Sequence, residues 1–176
     1  MTKIAVLVGS LAEGSINKKL AKAIEEVAPE GVEFVYPSVD LPLYNYEIDY
    51  PQAAKDMKAE IADADGVLLV TPEYNRSMSG AMKNALDWAS RPMGENPLSG
   101  KPGAIVGASM GALGTTQAQL MLRNVALFLN MDLMGQPELY IDFPNTFEAD
   151  GTLKESSKDF LAGYAKALVD HIEGAK

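Results

Sequence analysis

The chain has 176 residues, 47% of them hydrophobic, which is enough for one domain with a packed core and short for two, so a single domain over residues 1–176 is expected. A net charge of −9 at pH 7 argues against nucleic acid or an anionic membrane as a partner, because affinity for either rests on clustered Lys and Arg. Cysteine is absent, which excludes disulfides, thiolate nucleophiles and Cys-ligated iron–sulfur or zinc sites, so redox chemistry would need a bound cofactor.

An apolar run at residues 4–8 begins almost at once, leaving no room for a cleavable leader, and no stretch has the length of a membrane span; a cytoplasmic protein is expected. The run opens into Gly9-Ser10-Leu11-Ala12-Glu13-Gly14-Ser15-Ile16-Asn17 and then a helix from about Asn17 with Ile16, Leu20, Ile24 and Val27 at helical spacing. Ser10, Ser15 and Asn17 offer neutral donors, the glycines admit a ligand to the backbone, and the helix presents its positive end, a combination suited to a phosphate with Lys18 or Lys19 as nearby cation. The same residues also read as a plain turn in which Ser15 caps the helix. They form neither a nucleotide P-loop, since Ser15 and Ile16 stand where Lys and Ser/Thr are required, nor a G-x-G-x-x-G dinucleotide fingerprint.

A second strand is expected at residues 32–36, a helix from Gln52 and a third strand at 67–70. Directly after it comes Thr71-Pro72-Glu73-Tyr74-Asn75-Arg76-Ser77-Met78-Ser79-Gly80, a polar and aromatic loop with a proline and a glycine, suited to hydrogen-bonding one flat heterocycle. It reads as a flavin site. Glu73 is either an acid/base group or a solvated carboxylate. On the helix from Gly80, Met82 and Trp88 fall in packing register, while Lys83, Asn84 and Asp87 suit a surface ion pair or a subunit contact.

A fourth strand at 104–106 leads into a third loop, Ser109-Met110-Gly111-Ala112-Leu113-Gly114, and a helix from Thr115. Leu120, Met121, Leu122, Val125, Leu127, Phe128 and Leu129 leave little of that helix polar, so association is expected to cover it. The last strand, 139–141, precedes a helix from Leu153 with Phe160, Leu161, Tyr164, Leu168 and Ile172 in one stripe.

Strict alternation of strand and helix implies an α/β fold: a flavodoxin-like doubly wound five-stranded parallel sheet, order 2-1-3-4-5, with helices on both faces. Ligands of such sheets bind at the carboxyl ends of the strands, at the switch point between strands one and three, where the first two loops lie. A response regulator shares this topology but needs acids after strand one and an Asp after strand three, where Gly9-Ser10 and Thr71-Pro72 stand. A serine esterase pairing Ser10 with His171 lacks the Asp three residues before the histidine, because that position is Leu168.

With these residues in view the chain resembles the NADPH-dependent FMN reductase family, which includes quinone and chromate reductases. The resemblance rests on G-S-L-x-x-x-S-x-N at Gly9 to Asn17, L-P-L-Y-N at Leu41 to Asn45, P-E-Y-N at Pro72 to Asn75 and K-N-A-x-D-W at Lys83 to Trp88. It implies that the first loop binds the FMN phosphate through Ser10, Leu11, Ser15, Ile16 and Asn17. The isoalloxazine ring would lie along Pro72, Glu73, Tyr74 and Asn75, with Ser109, Met110, Gly111 and Ala112 closing its other edge. It further implies NADPH or NADH as co-substrate, a quinone or similar small acceptor, no catalytic side chain, no metal, and a homodimer or homotetramer. Many members carry Arg where this chain has Ala12, which implies weaker FMN binding, and Pro where it has Ser79, which can cap the helix instead. The rival reading is a flavodoxin-like single-electron carrier without enzymatic activity.

Overall fold

The computed structural model describes residues 1–175. Its main elements follow the expected alternation: β1 (Thr2–Val8), α1 (Ile16–Glu26), β2 (Val32–Val35), α2 (Gln52–Asp63), β3 (Gly66–Val70), then a short hairpin of β4 (Glu73–Tyr74) and β5 (Ser77–Met78). The second half holds α3 (Gly80–Ala89), β6 (Pro102–Ser109), α4 (Thr116–Phe128), β7 (Asp132–Leu133), β8 (Leu139–Asp142), a single turn α5 (Phe143–Thr146) and α6 (Glu155–Gly174). Among the described residues no helix is long and apolar enough to cross a membrane.

The sheet runs β2-β1-β3-β6, all parallel, as the sequence predicts. Its fifth position differs: β7 pairs with Pro102 and Gly103 at the start of β6, and β8 pairs with residues 106–109 at its end, so two short strands share one edge. Central strands are apolar on both sides because both faces are covered. Ile4, Val6 and Val8 of β1 pack with α1 and α6, while Ala5 and Leu7 pack with the layer of α2, α3 and α4.

Three polar links fix the carboxyl ends of the strands relative to one another. Gly9 N–H donates to Val70 O (2.8 Å), and Ser79 Oγ donates to Gly9 O (2.6 Å) while accepting from Met82 N–H (3.1 Å), so one hydroxyl caps α3 and ties the second loop to the first. A Cβ on Gly9 would collide with Ser79 Oγ, which explains the glycine there. Asn17, 1% exposed, lays its amide along the backbone of Ala108: Nδ2 donates to Ala108 O (3.0 Å) and Oδ1 accepts from Ala108 N–H (2.9 Å). That pair joins the start of α1 to the end of β6, immediately before the third loop. Glycine at 107 keeps the same strand close to Thr71 O and Thr115, where a side chain would not fit.

Removing the Asn17 amide strands a buried N–H and a buried C=O. Asn17→Ala is therefore expected to destabilise the fold by about 2–4 kcal/mol, read as a lower urea midpoint at unchanged slope. A midpoint within error of the parent would show that the pair carries no such weight.

Candidate cofactor site at the carboxyl edge of the sheet

The first loop ends in a helix start with an open set of donors. Ser15 caps α1, its Oγ accepting from Asn17 N–H (3.2 Å) and keeping the hydroxyl hydrogen to donate elsewhere. The N–H groups of Leu11, Ala12, Glu13, Gly14 and Ile16, and the hydroxyl of Ser10 on a residue only 6% exposed, make no hydrogen bond among the described residues. Converging on a helix N-terminus, these groups fit a phosphate monoester.

The other helix starts on this edge have their caps already engaged. Glu73 Oε2 accepts from Gln117 N–H (3.0 Å) and Ala118 N–H (3.2 Å), so a carboxylate from the second loop occupies the N-terminus of α4. Ser79 fills the same role at α3. Of the three loops that resembled ligand sites, the first is the one whose following helix carries no carboxylate at its N-terminus and whose capping hydroxyl is free to donate. Glu73 is thus a tether between the hairpin and α4, neither the free acid/base group nor the solvated carboxylate considered from sequence.

Asn17, expected to contact the phosphate, has Oδ1 and one Nδ2 hydrogen committed to Ala108; its side chain can reach a ligand only through the second Nδ2 hydrogen. The two cations also separate. Lys19 reaches away to Asp150 O (3.2 Å) and packs on Gly151, whereas Lys18 lines a cleft of about 460 Å³ with Ser10, Leu11 and Tyr36 and has no partner among the described residues. Lys18 is the cation available to the first loop. In the same cleft Tyr36 donates to Glu25 Oε2 (2.6 Å), and burial together with that bond pushes the phenol pKa far up, leaving it neutral.

The second loop is a tight hairpin, not an irregular segment. Asn75 (φ 52°) and Arg76 (φ 65°) both sit in the left-handed region, as a two-residue type I′ turn requires. Pro72 is buried, Glu73 half-buried, and Tyr74 stands exposed at the rim. In the third loop Ser109 Oγ donates to Gly111 O (2.9 Å) and accepts from Gly111 N–H (3.2 Å), holding Met110 and Ala112 outward. Because β1, β3 and β6 are adjacent, the three loops border one edge, with Pro72 to Asn75 and Ser109 to Ala112 on neighbouring strands.

Sequence reasoning missed what joins its own motifs. Asn84 Oδ1 accepts from Tyr44 N–H (2.8 Å), its Nδ2 donates to Pro42 O (2.9 Å) and Leu41 O (3.2 Å), and Trp88 Nε1 donates to Pro42 O (2.7 Å). The K-N-A-x-D-W segment is therefore the clamp for L-P-L-Y-N, and the shared pattern of a buried-register Asn and Trp was the available signal. Lys83 and Asp87 do form the surface ion pair (2.6 Å), and Met82 and Trp88 are packing residues. His171 Nε2 lies 3.0 Å from Asp132 O, at the end of the sheet opposite Ser10, which removes any triad.

The chain matches the profile described as NADPH-dependent FMN reductase over residues 2–146. It is 51% identical over 164 residues to a 2-hydroxy-1,4-benzoquinone reductase of Burkholderia sp, covering 90% of each chain. It is also 35% identical to a quinone reductase of Escherichia coli (strain K12), covering 99% of this chain and 97% of the other. Among solved structures, FerB, a flavoenzyme NAD(P)H:(acceptor) oxidoreductase from Paracoccus denitrificans, superposes with a TM-score of 0.93 at 41% identity over 99% of each chain. A flavodoxin from Pseudomonas aeruginosa, at 19% identity and a TM-score of 0.62, shares the fold alone. With the profile spanning most of its length and the donor set of the first loop in place, the chain belongs to the NADPH-dependent FMN reductase family, enzymes rather than pure electron carriers.

Proposed function

We propose that the protein is a cytoplasmic two-electron reductase that uses NADPH or NADH to reduce quinones or similar small acceptors through non-covalently bound FMN. The observation that carries this reading is the unpaired donor set from Ser10 to Ile16 at the start of α1. Bound FMN would supply the two-electron redox chemistry linking reduced nicotinamide to the acceptor. The chain's residues bind and orient. Ser10, Leu11, Ser15 and Ile16 hold the phosphate, with Lys18 supplying positive charge and Asn17 fixing the loop. Pro72, Glu73, Tyr74 and Asn75 would border one edge of the ring, and Ser109, Met110, Gly111 and Ala112 the other. Glu73 is engaged at α4, so no side chain is assigned an acid/base role and protons are exchanged with solvent.

Tyr74 and Met110 stand exposed on the second and third loops, and we infer a single approach to the ring between them. Nicotinamide and acceptor must then occupy it in turn.

The outward side of α4 presents Leu120, Met121, Leu127 (66% exposed) and Phe128 (83% exposed), an apolar face that a monomer would leave in water. We infer that a second copy covers it, giving a homodimer or homotetramer.

Three outcomes are expected. Ser15→Ala removes a donor to a charged group, worth about 1.5–3 kcal/mol, and should weaken FMN roughly ten- to hundredfold, while Ala12→Arg should tighten it; equilibrium titration of FMN fluorescence reads both, and unchanged constants in the two variants contradict the phosphate assignment. Steady-state rates with NADPH and a quinone should give parallel double-reciprocal lines, whereas intersecting lines would mean that both substrates bind together. Leu127→Glu and Phe128→Glu should shift the light-scattering mass downward or cause aggregation, and a parent protein that already runs at 18.9 kDa would dismiss the interface.

A further inference from the structure

The cleft of about 460 Å³ that holds Lys18 adjoins the first loop on the side away from the second and third loops. In the sheet order β2-β1-β3-β6 those two loops follow β3 and β6, on one side of β1, whereas the cleft lies between α1 and the chain leaving β2, on the other. A flavin phosphate in the first loop thus has the ring towards one side and this space towards the other. The volume falls in the range of small-molecule sites. FMN, which ends at its phosphate, has nothing to place there.

The cleft is lined by groups that the fold leaves unused. Leu11, 55% exposed on the first loop, and the half-buried ring of Tyr36 give it apolar walls, above a floor of Val6 and Val8 from β1. Lys18 lines it together with Ser10 and has no partner among the described residues. On the β2 side Ser38 Oγ accepts from Asp40 N–H (3.2 Å) and keeps its hydroxyl hydrogen to donate. The Asp40 carboxylate is exposed and accepts no hydrogen bond among the described residues. The remaining charged groups here are engaged with one another: Lys22 pairs with Glu25 (2.7 Å) and lies 4.0 Å from the centre of the Tyr36 ring, and Glu25 also accepts from Tyr36.

A free cation on α1, a free carboxylate and hydroxyl on the β2 side, and apolar walls match the three parts of an adenylate. The cation suits its phosphate, the carboxylate can accept from both ribose hydroxyls, and the walls suit a flat base. We propose that this cleft is the adenylate subsite for FAD, so that the protein takes FAD as well as FMN with the flavin half held in the same way. The proposal rests on the assignment of the first loop to the flavin phosphate.

Flavin-free protein is titrated with FMN and with FAD by calorimetry, and the bound flavin is released by heat and identified by chromatography. At the flavin phosphate FAD carries one charge fewer than FMN, a loss that the contacts of the adenylate offset, so FAD is expected to bind within about tenfold of FMN. Asp40→Ala removes the acceptor for the ribose hydroxyls and should weaken FAD roughly ten- to hundredfold while leaving FMN unchanged. Ser38→Trp sets an indole at the exposed rim of the cleft and should exclude FAD, again sparing FMN. FMN binding verifies the fold of each variant, and either one decides the matter should the other fail to fold. An FAD affinity more than about tenfold below that of FMN, or one unchanged in a folded variant, overturns the proposal and leaves the reductase reading standing. Failure of both flavins to bind the parent protein overturns that reading as well.

Discussion

The geometry of the carboxyl edge depends on one buried amide. Asn17 is the second residue of α1, yet both polar ends of its side chain pair with the backbone of Ala108 on β6, two strands away from β1 in the sheet. A buried Asn must find partners for its amide, and a backbone N–H and C=O offered side by side satisfy it better than solvent could reach it. The consequence is that α1 can start in only one place relative to the third loop. Ser79, bonded to Gly9 O, imposes the same condition between the first and second loops, and Glu73 closes the circuit from the second loop to α4. A heterocycle bordered by loops from different strands needs this rigidity, because its binding energy would otherwise go into ordering them.

The same contacts decide where an anion can go. Helices α1, α3 and α4 all begin at this edge, and each brings the positive end of its dipole. At α4 that end already faces the Glu73 carboxylate, and at α3 it faces the Ser79 hydroxyl. At α1 the cap uses only Ser15's lone pair, and the preceding N–H groups stay open. In a protein with net charge −9, a phosphate at this loop would be held by local dipoles and Lys18, with the rest of the field unfavourable and no arginine at position 12. Glu73 and Lys18 have opposite uses: one occupies a helix terminus, the other is free beside one.

Much of this was legible in the sequence because the signals were local. Apolar runs bounded by Gly and Ser gave the strand order, and helix starts fell within two residues of the observed ones: Asn17 against Ile16, Thr115 against Thr116, Leu153 against Glu155. What escaped was non-local. Glu73 reaches a helix whose first residue lies more than forty positions later in the chain, and Asn84 recognises the backbone of a segment forty positions earlier. Neither partner leaves a mark on the residues adjacent in sequence. The fifth strand was split for a related reason: Asp132-Leu133 is too short to show a period and forms a strand only because β6 extends past the start of β8. Asn17 shows the limit from the other side, since the residue pattern pointed to the right loop while its side chain serves the scaffold.

The central claim is that the edge formed by these three loops holds FMN in reach of a nicotinamide, and the most direct measurement is an anaerobic titration of the FMN-loaded protein with NADPH and, separately, NADH, following the visible flavin absorbance. The account predicts that one equivalent of a reduced nicotinamide bleaches the bound flavin completely, in a single two-electron step. Flavin that stays oxidised with both nucleotides, at concentrations far above the protein's, would contradict it.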